Sequence, residues 1–311
     1  MVISLLDLKK FTQVIRQADI AFLLAGCCAT LLWLVIRGFV WRTLLQNKAS
    51  YRDSFLTINE GYLLNNILPF RLGEIARAFL MSRKANLDFW EVIPSIIIER
   101  ALDLAIAVGL FLCTLPLVMG VSWAEQAAVG IGIMVIAVMG VIYFMARNRE
   151  RTLAWLERMA ERYRLVKKLT GRRVVAFFDG LAILTNGRLF LKALGWEGLN
   201  WLVGILQYYL FLRAFFPHPN LLWAVFALSV GALGIAAPSS PGAIGVYEAV
   251  LAGALAVFGL DVSAAIVFGL SMHIISYLLT GLIGGYGLYK DGESLYSMYR
   301  QLGKLKSEEQ M

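Results

Sequence analysis

The sequence predicts an all-α, polytopic membrane protein built as two inverted halves, each with a Pro/Gly-broken re-entrant hairpin. Three observations lead there. Of 311 residues, 59% are hydrophobic and 16% charged, with mean hydropathy +0.70, a balance typical of chains with several membrane spans. Two polar stretches interrupt that background in the same way. Asn65-Asn66-Ile67-Leu68-Pro69-Phe70-Arg71-Leu72-Gly73-Glu74-Ile75-Ala76-Arg77 and Pro238-Ser239-Ser240-Pro241-Gly242-Ala243-Ile244-Gly245-Val246-Tyr247-Glu248 both read Pro-x-x-x-Gly, then a carboxylate, then an apolar helix. Proline removes a backbone donor and glycine frees the backbone, so a continuous helix is not expected at either place. Finally, the basic residues behind the formal charge of +8 gather at the ends of apolar runs, the positive-inside pattern.

Residues 3–18 place Leu5, Leu8, Phe11, Val14 and Ile15 at helical spacing with Lys9, Lys10 and Arg16 on other faces, which predicts an amphipathic interfacial helix. Ile20 to about Trp41 is the first span; it lacks a signal-peptide cleavage site. Arg37, Arg42, Lys48 and Arg52 follow and favour the cytoplasmic side. Segment 53–85 is too polar for a lipid-facing span and holds the first break. Val92 to Met119 is a long run carrying Glu99, Arg100 and Asp103. Loop 120–125 has no Lys or Arg and reads as outside; Gln126 to Ala146 returns. Residues 147–173 hold ten Lys/Arg against three acids, with Trp155, Leu156, Met159 and Tyr163 at helical spacing, a basic amphipathic cytoplasmic helix. Phe190 to Phe216 spans outward to Pro217-His218-Pro219-Asn220. Residues 222–237 and 243–258 flank the second break, and Ala264 to Tyr289 crosses inward to Lys290.

Charge placement makes 53–85 and 222–259 each enter and leave on one side. The expectation is five full spans and two re-entrant hairpins, one from each side, with the N-terminus outside and the C-terminus cytoplasmic. The competing topology makes 53–70 a full span with the N-terminus inside, and puts four basic residues outside. Interrupted apolar segments in corresponding halves point to a transport site. The expected units are an interfacial helix 1–19, membrane halves 20–146 and 188–290, a basic segment 147–187 and a cytoplasmic tail 291–311. Anionic lipid headgroups, not nucleic acid, are the expected partner of the basic clusters.

The string Asn66-Ile67-Leu68-Pro69-Phe70-Arg71-Leu72-Gly73-Glu74-Ile75-Ala76-Arg77 resembles the flippase-like membrane domain of the lysylphosphatidylglycerol synthase family. Glu99-Arg100-Ala101-Leu102-Asp103 matches that family's Glu-Arg-x-x-Asp element. The 238–248 stretch is similar to its Pro-Gly-Gly-x-Gly-x-x-Glu element, with Ala243 replacing the middle glycine. Two departures stand out: members commonly begin one apolar span earlier, and full-length synthases carry a soluble aminoacyl-transferase domain for which no room remains before Met311. The resemblance therefore implies translocation of an anionic phospholipid or polyprenyl-phosphate-linked lipid in a bacterial or archaeal cytoplasmic membrane. The alternatives are a membrane enzyme on lipid-linked sugars or phosphates with Glu74, Glu99 or Glu248 as acid or base, and a companion docking a separate lipid-modifying enzyme.

The candidate residues divide by chemistry. Arg71 and Arg77, beside a helix start near Gly73, form an arginine fork suited to phosphate; otherwise Arg71 snorkels and Arg77 pairs with Glu74. Arg100 pairs with Glu99 and Asp103 or with Glu74, fixing the hairpin, or one carboxylate couples transport to protons. Glu248 either meets an arginine from the first half or senses protons. Asn65 and Asn66 cap broken backbone or bind headgroup hydroxyls, and Ser239 and Ser240 offer further hydroxyls. Pro69, Gly73, Pro238, Pro241 and Gly245 are candidate hinges, and Gly242 allows close approach to substrate or tight packing. Glu60 is less specific, His273 reads as a packing residue, His218 as an exposed turn residue, and Cys27, Cys28 and Cys113 as packing residues. No metal, nucleotide-loop or Ser-His-Asp pattern occurs, so neither a metal nor a cofactor is expected.

Overall fold

A computed structural model describes residues 13–14, 16–68, 71–119, 123–162, 171–236 and 241–293. The expected interfacial helix and cytoplasmic tail fall almost wholly outside them, as do Pro69, Pro238, Ser239 and Ser240. Among the described residues every regular element is helical: α1 Ile20–Leu44, α2 Tyr51–Ile67, α3 Leu72–Lys84, α4 Phe89–Met119, α5 Trp123–Arg147, α6 Arg149–Arg162, α7 Arg172–Leu181, α8 Gly187–Phe215, α9 Leu221–Ala236, α10 Val246–Ala256 and α11 Val262–Lys290. Short polar side chains start several of them. Asp19 accepts from the Ala21 amide (2.9 Å), Ser50 from Asp53 (3.1 Å), Asn186 from Leu189 (3.2 Å) and Asp261 from Ala264 (2.9 Å), which satisfies amides a helix start leaves orphaned.

Four helices (α1, α4, α8 and α11) are long and apolar enough to cross a bilayer. At 1.5 Å per residue each exceeds the ~30 Å hydrocarbon core. Apolar side chains such as Leu24, Leu278 and Leu282 are exposed on them, as a lipid-facing surface requires. The chain is an integral membrane protein. The fifth expected span is the 25-residue α5. Cys28 and Cys113, expected to pack inside, instead lie exposed on the outer helix faces, and all three cysteines are free.

Both breaks are present. α2 ends at Ile67 and α3 starts after Arg71, whose backbone is left-handed at φ 53°; α9 ends at Ala236 and, in the described part of the connection, a 3-10 turn at Pro241–Ala243 precedes α10, which starts at Val246. The limbs of each pair pack on one another, giving hairpin A (α2–α3) and hairpin B (α9–α10). Their limbs hold 17, 13, 16 and 11 residues. That makes them roughly 16–26 Å long, shorter than the hydrocarbon core. Gly73 allows the close approach in hairpin A: a Cβ there would collide with the Gly61 carbonyl and lie 2.5 Å from Asn65 Oδ1.

The pairings repeat when α1 is exchanged for α8, α2 for α9, α3 for α10 and α4 for α11. Thus α2 packs on α11 as α9 packs on α4, and α1 on α2 as α8 on α9. The equivalent helices α1 and α8 run antiparallel. The Asp19 amide bonds the Ala214 carbonyl (3.0 Å) at one end, Gln207 bonds Thr30 (2.9 Å) in the middle, and Arg37 bonds Glu197 (3.0 Å) towards the other. The halves are therefore inverted, and the hairpins enter the bundle from opposite ends. Their tips meet: Arg71 donates to the Ile235 carbonyl, and Gly242 sits against the carbonyl of Asn66.

Two readings of the basic clusters change. Arg37, expected with the cytoplasmic basic residues, is 1% exposed inside the bundle, because α1 runs on past Trp41 to Leu44. Segment 147–187 is more than a surface helix. Its second part, α7 and the following turn, buries Phe178, Leu181 and Ile183 against the body of the protein, and the missing Gly180 side chain lets α7 approach the Glu91 carbonyl of α4.

Candidate functional site

A cavity of about 630 Å³ lies where the two tips meet, walled by both halves. Its polar wall is a network of buried charges. Arg37 of α1 reaches Glu99 (2.8 Å) and Asp103 of α4 and Glu197 (3.0 Å) of α8. Arg77 of α3 forks onto both oxygens of Glu99 (3.1 and 3.2 Å), with Glu74 at 3.4 Å and the Trp41 ring beneath its guanidinium at 4.4 Å. Arg100 contacts Glu99, Asp103 (3.0 Å) and Glu74 (3.9 Å). A planar guanidinium presents five donors in a rigid fork, two more than an ammonium, and so suits a site where several carboxylates converge. The network ties α1, α3, α4 and α8 together, so the first hairpin is clamped to the following span.

Arg71 and Arg77 do not converge as a fork. Arg77 is 1% exposed, spends its donors on Glu99 and does not line the cavity. Arg71 does line it; its guanidinium bonds the Ile235 carbonyl and, among the described residues, has no carboxylate partner. Nearby polar atoms also lack hydrogen-bond partners: Asn65 Oδ1, Glu74 Oε2 and Arg100 Nε. These three residues line the cavity with Arg71. Asn66 Nδ2 reaches Thr280 Oγ1 at 3.4 Å, joining hairpin A to α11.

On the opposite wall, Glu248 meets a histidine rather than an arginine. His273 Nδ1 lies 2.6 Å from Glu248 Oε1, and Glu248 Oε2 accepts from the Gly245 amide at 2.7 Å, closing the start of α10. The Gly242 carbonyl receives His273 Nε2 (3.0 Å) and the Tyr277 hydroxyl. Gly242 has φ +64° and touches Tyr277, so a side chain there would be strained and blocked.

Sequence reasoning missed three members of this site. Arg37 reads as a topology charge, Glu197 went unremarked inside an apolar run, and His273 reads as packing. The one available signal was Glu197 itself, since an acid in a span needs a partner.

The profile of the lysylphosphatidylglycerol synthase transmembrane region matches residues 1–284. The chain belongs to this family. It is similar to the glycosyltransferase AglD of Haloferax volcanii, 24% identical over 91% of this chain and 50% of AglD, so the chain spans about half the length of that relative. Two proteins of Methanocaldococcus jannaschii are similar over nearly their whole length. The UPF0104 membrane protein MJ1595 is 20% identical, covering 91% of this chain and 88% of its own; MJ1078 is 24% identical, covering 73% and 93%. No solved structure matches the chain. Residues of both broken stretches (Arg71, Glu74, Gly242, Tyr247) and of the charged stretch of α4 (Arg100, Asp103) line the cavity, together with residues of α1, α8 and α11.

Proposed function

We propose that the protein moves an anionic, hydroxyl-bearing lipid headgroup between leaflets through this cavity while the acyl chains stay in the surrounding bilayer. In this reading the hairpins are re-entrant and their tips meet near the bilayer midplane. The observation that carries it is Arg71. It stands at the junction of the inverted halves, where Arg37 and Arg100 form ion pairs with carboxylates while Arg71, among the described residues, bonds a backbone carbonyl and no carboxylate. A phosphate would give it a direct anionic partner, and the N-terminus of α3 adds amide donors and a positive dipole end. Asn65 Oδ1 calls for a donor, which a headgroup hydroxyl supplies. Arg77 acts by holding Glu99, and Glu99 with Asp103 keeps the arginine wall in place.

A second reading is favoured by one observation. A relative sharing this domain is named a glycosyltransferase, and this chain matches half of it. The chain would then serve a separate enzyme acting on lipid-linked sugars, presenting or removing its lipid.

Native mass spectrometry of lipids retained by the purified protein tests the first reading. Wild type is expected to keep a discrete anionic lipid that Arg71→Gln loses. Equal, undifferentiated phospholipid in both would overturn it. Chemically altered lipid in a membrane extract, rather than altered leaflet distribution, would favour the second.

A further inference from the structure

The tip of hairpin B is fastened to α11 by a histidine between two acceptors. His273 faces the Glu248 carboxylate with one ring nitrogen and the Gly242 carbonyl with the other, at 2.6 and 3.0 Å. A carbonyl oxygen only accepts, an ionised carboxylate only accepts, and a neutral imidazole has one N–H. Both contacts are hydrogen bonds only when the pair holds one proton beyond a neutral ring and a carboxylate. On the ring that proton makes an imidazolium; on Glu248 it makes an acid donating to Nδ1. The proton count is the same.

The surroundings leave this pair alone to carry the proton. From α10, Glu248 and Tyr247 face His273, the Tyr247 ring at 4.9 Å and its hydroxyl 2.7 Å from Tyr208 of α8. On α11 itself Tyr277 stacks edge-on at 4.4 Å. α9 carries no titratable side chain. α2 brings Tyr62 to the same cavity, while its Glu60 is held by Lys84 of α3. Arg71 is tied to Ile235, and Arg37 of α1 to its carboxylates; α1 also carries the thiols Cys27 and Cys28. Among the described residues, His273 is the one basic group paired with Glu248.

We propose that the His273–Glu248 pair is a proton-binding site that locks the tip of hairpin B onto α11, so that the cavity opens there when the pair releases its proton. The proton passes to water in the cavity that His273 lines. The remaining N–H stays with the carboxylate, the stronger acceptor. The Nε2 lone pair then opposes the Gly242 carbonyl, and of the two bonds this carbonyl receives from α11, among the described residues, the one from Tyr277 remains. The meaning of such opening for a transport cycle rests on the lipid-translocation reading; the lock does not.

The test places a single cysteine at the tip, Ala243→Cys, in a full-length Cys27/Cys28/Cys113→Ser background. Its maleimide reaction rate is divided by the rate of the same protein unfolded, which removes the thiol's own pH dependence. From about pH 5.5 to pH 8.5, across the histidine range, the ratio is expected to rise about threefold to tenfold, the worth of one hydrogen bond. With His273→Gln the ratio is flat. With Glu248→Gln it is flat and low, because the amide oxygen keeps the Gly245 amide, the amide nitrogen donates to Nδ1, and a neutral ring then donates to Gly242. A flat wild-type ratio, or a Glu248→Gln protein that keeps the wild-type pH dependence, overturns the lock. A pair that merely packs predicts faster reaction at every pH in both variants, which also overturns it. If His273→Gln does not fold, Glu248→Gln decides alone. No lipid movement is measured, so failure of the lipid reading leaves this result readable.

Discussion

Replacing Arg37 with methionine removes one cation from the centre of the charge network and keeps most of its volume. Arg37 is 1% exposed, and its partners Glu99 and Glu197 are fully buried. Arg37, Arg77 and Arg100 face Glu74, Glu99, Asp103 and Glu197, an excess of one negative charge. Arg37→Met raises that excess to two and, among the described residues, leaves Glu197 with no cation, its Oε1 still bonded by Trp201 at 3.1 Å. Breaking one side of a buried ion pair costs ~3–5 kcal/mol, because a desolvated charge is stranded. Equilibrium unfolding of the purified protein by SDS titration measures this. Arg37→Met/Glu197→Gln restores the original excess and is expected to recover about half of the loss. Arg37→Lys keeps the charge but loses the rigid five-donor fork and two of its donors, and should fall between. A loss under about 1 kcal/mol for Arg37→Met would refute the reasoning, since it would mean that cavity water already solvates the carboxylates.

Two further outcomes follow from the same structure. Lys84 lies 2.8 Å from both oxygens of the fully buried Glu60 and also pairs with Asp291 at the end of α11; Lys84→Met should destabilise by ~3 kcal/mol and expose α3 to limited proteolysis, whereas Lys84→Met/Glu60→Gln should be milder. Amide hydrogen exchange in micelles should be faster in α9–α10 than in α2–α3, and equal protection would contradict the division of fastening argued below.

The breaks and the inverted arrangement were legible because their causes are local. Proline and glycine inside an apolar run leave few backbone alternatives, and basic residues at run ends mark sides. The charge network was legible only where its members are close in sequence. Glu99, Arg100 and Asp103 share one helix face, and Glu74 and Arg77 are one turn apart, so pairing among them could be written down in advance. Arg37 could not be read this way. Its partners lie 62, 66 and 160 residues on, and an arginine near a helix end looks the same whether it snorkels to headgroups or turns inward. His273 fails for a similar reason: its meaning comes from Glu248 and from a bare backbone carbonyl at Gly242, and sequence periodicity reports neither. The loss of the Arg71–Arg77 fork has a different origin. Both arginines follow the break, but a left-handed backbone at Arg71 turns its side chain towards hairpin B while Arg77, on α3, faces α4.

The two hairpins are equivalent in topology and unequal in how they are fastened. Hairpin A is tied by ion pairs on two sides: Arg77 to Glu99 of α4, and Lys84 to Asp291 at the end of α11. Pulling it away would strand charges on fully buried groups. Hairpin B carries no charged residue in α9 and a single carboxylate in α10. Its polar ties across the cavity, among the described residues, are Arg71 to Ile235, His273 to Glu248 and Gly242, and Tyr208 and Tyr277 to Tyr247 and Gly242. Most of these are ordinary hydrogen bonds worth about 1 kcal/mol each, and among them only Glu248 with His273 joins two ionisable side chains of opposite kind. An inverted pair that opened by mirror-related motions would need matched fastenings at both tips. This one is built with a fixed half, whose arginines hold the carboxylates in register, and a lightly held tip that closes over them. Arg71, the anion site of the proposed function, sits on the fixed side and reaches across to the lighter one. A headgroup that drew Arg71 away from the Ile235 carbonyl would therefore loosen hairpin B as it bound, so that substrate and proton would act on the same element from opposite walls of the cavity.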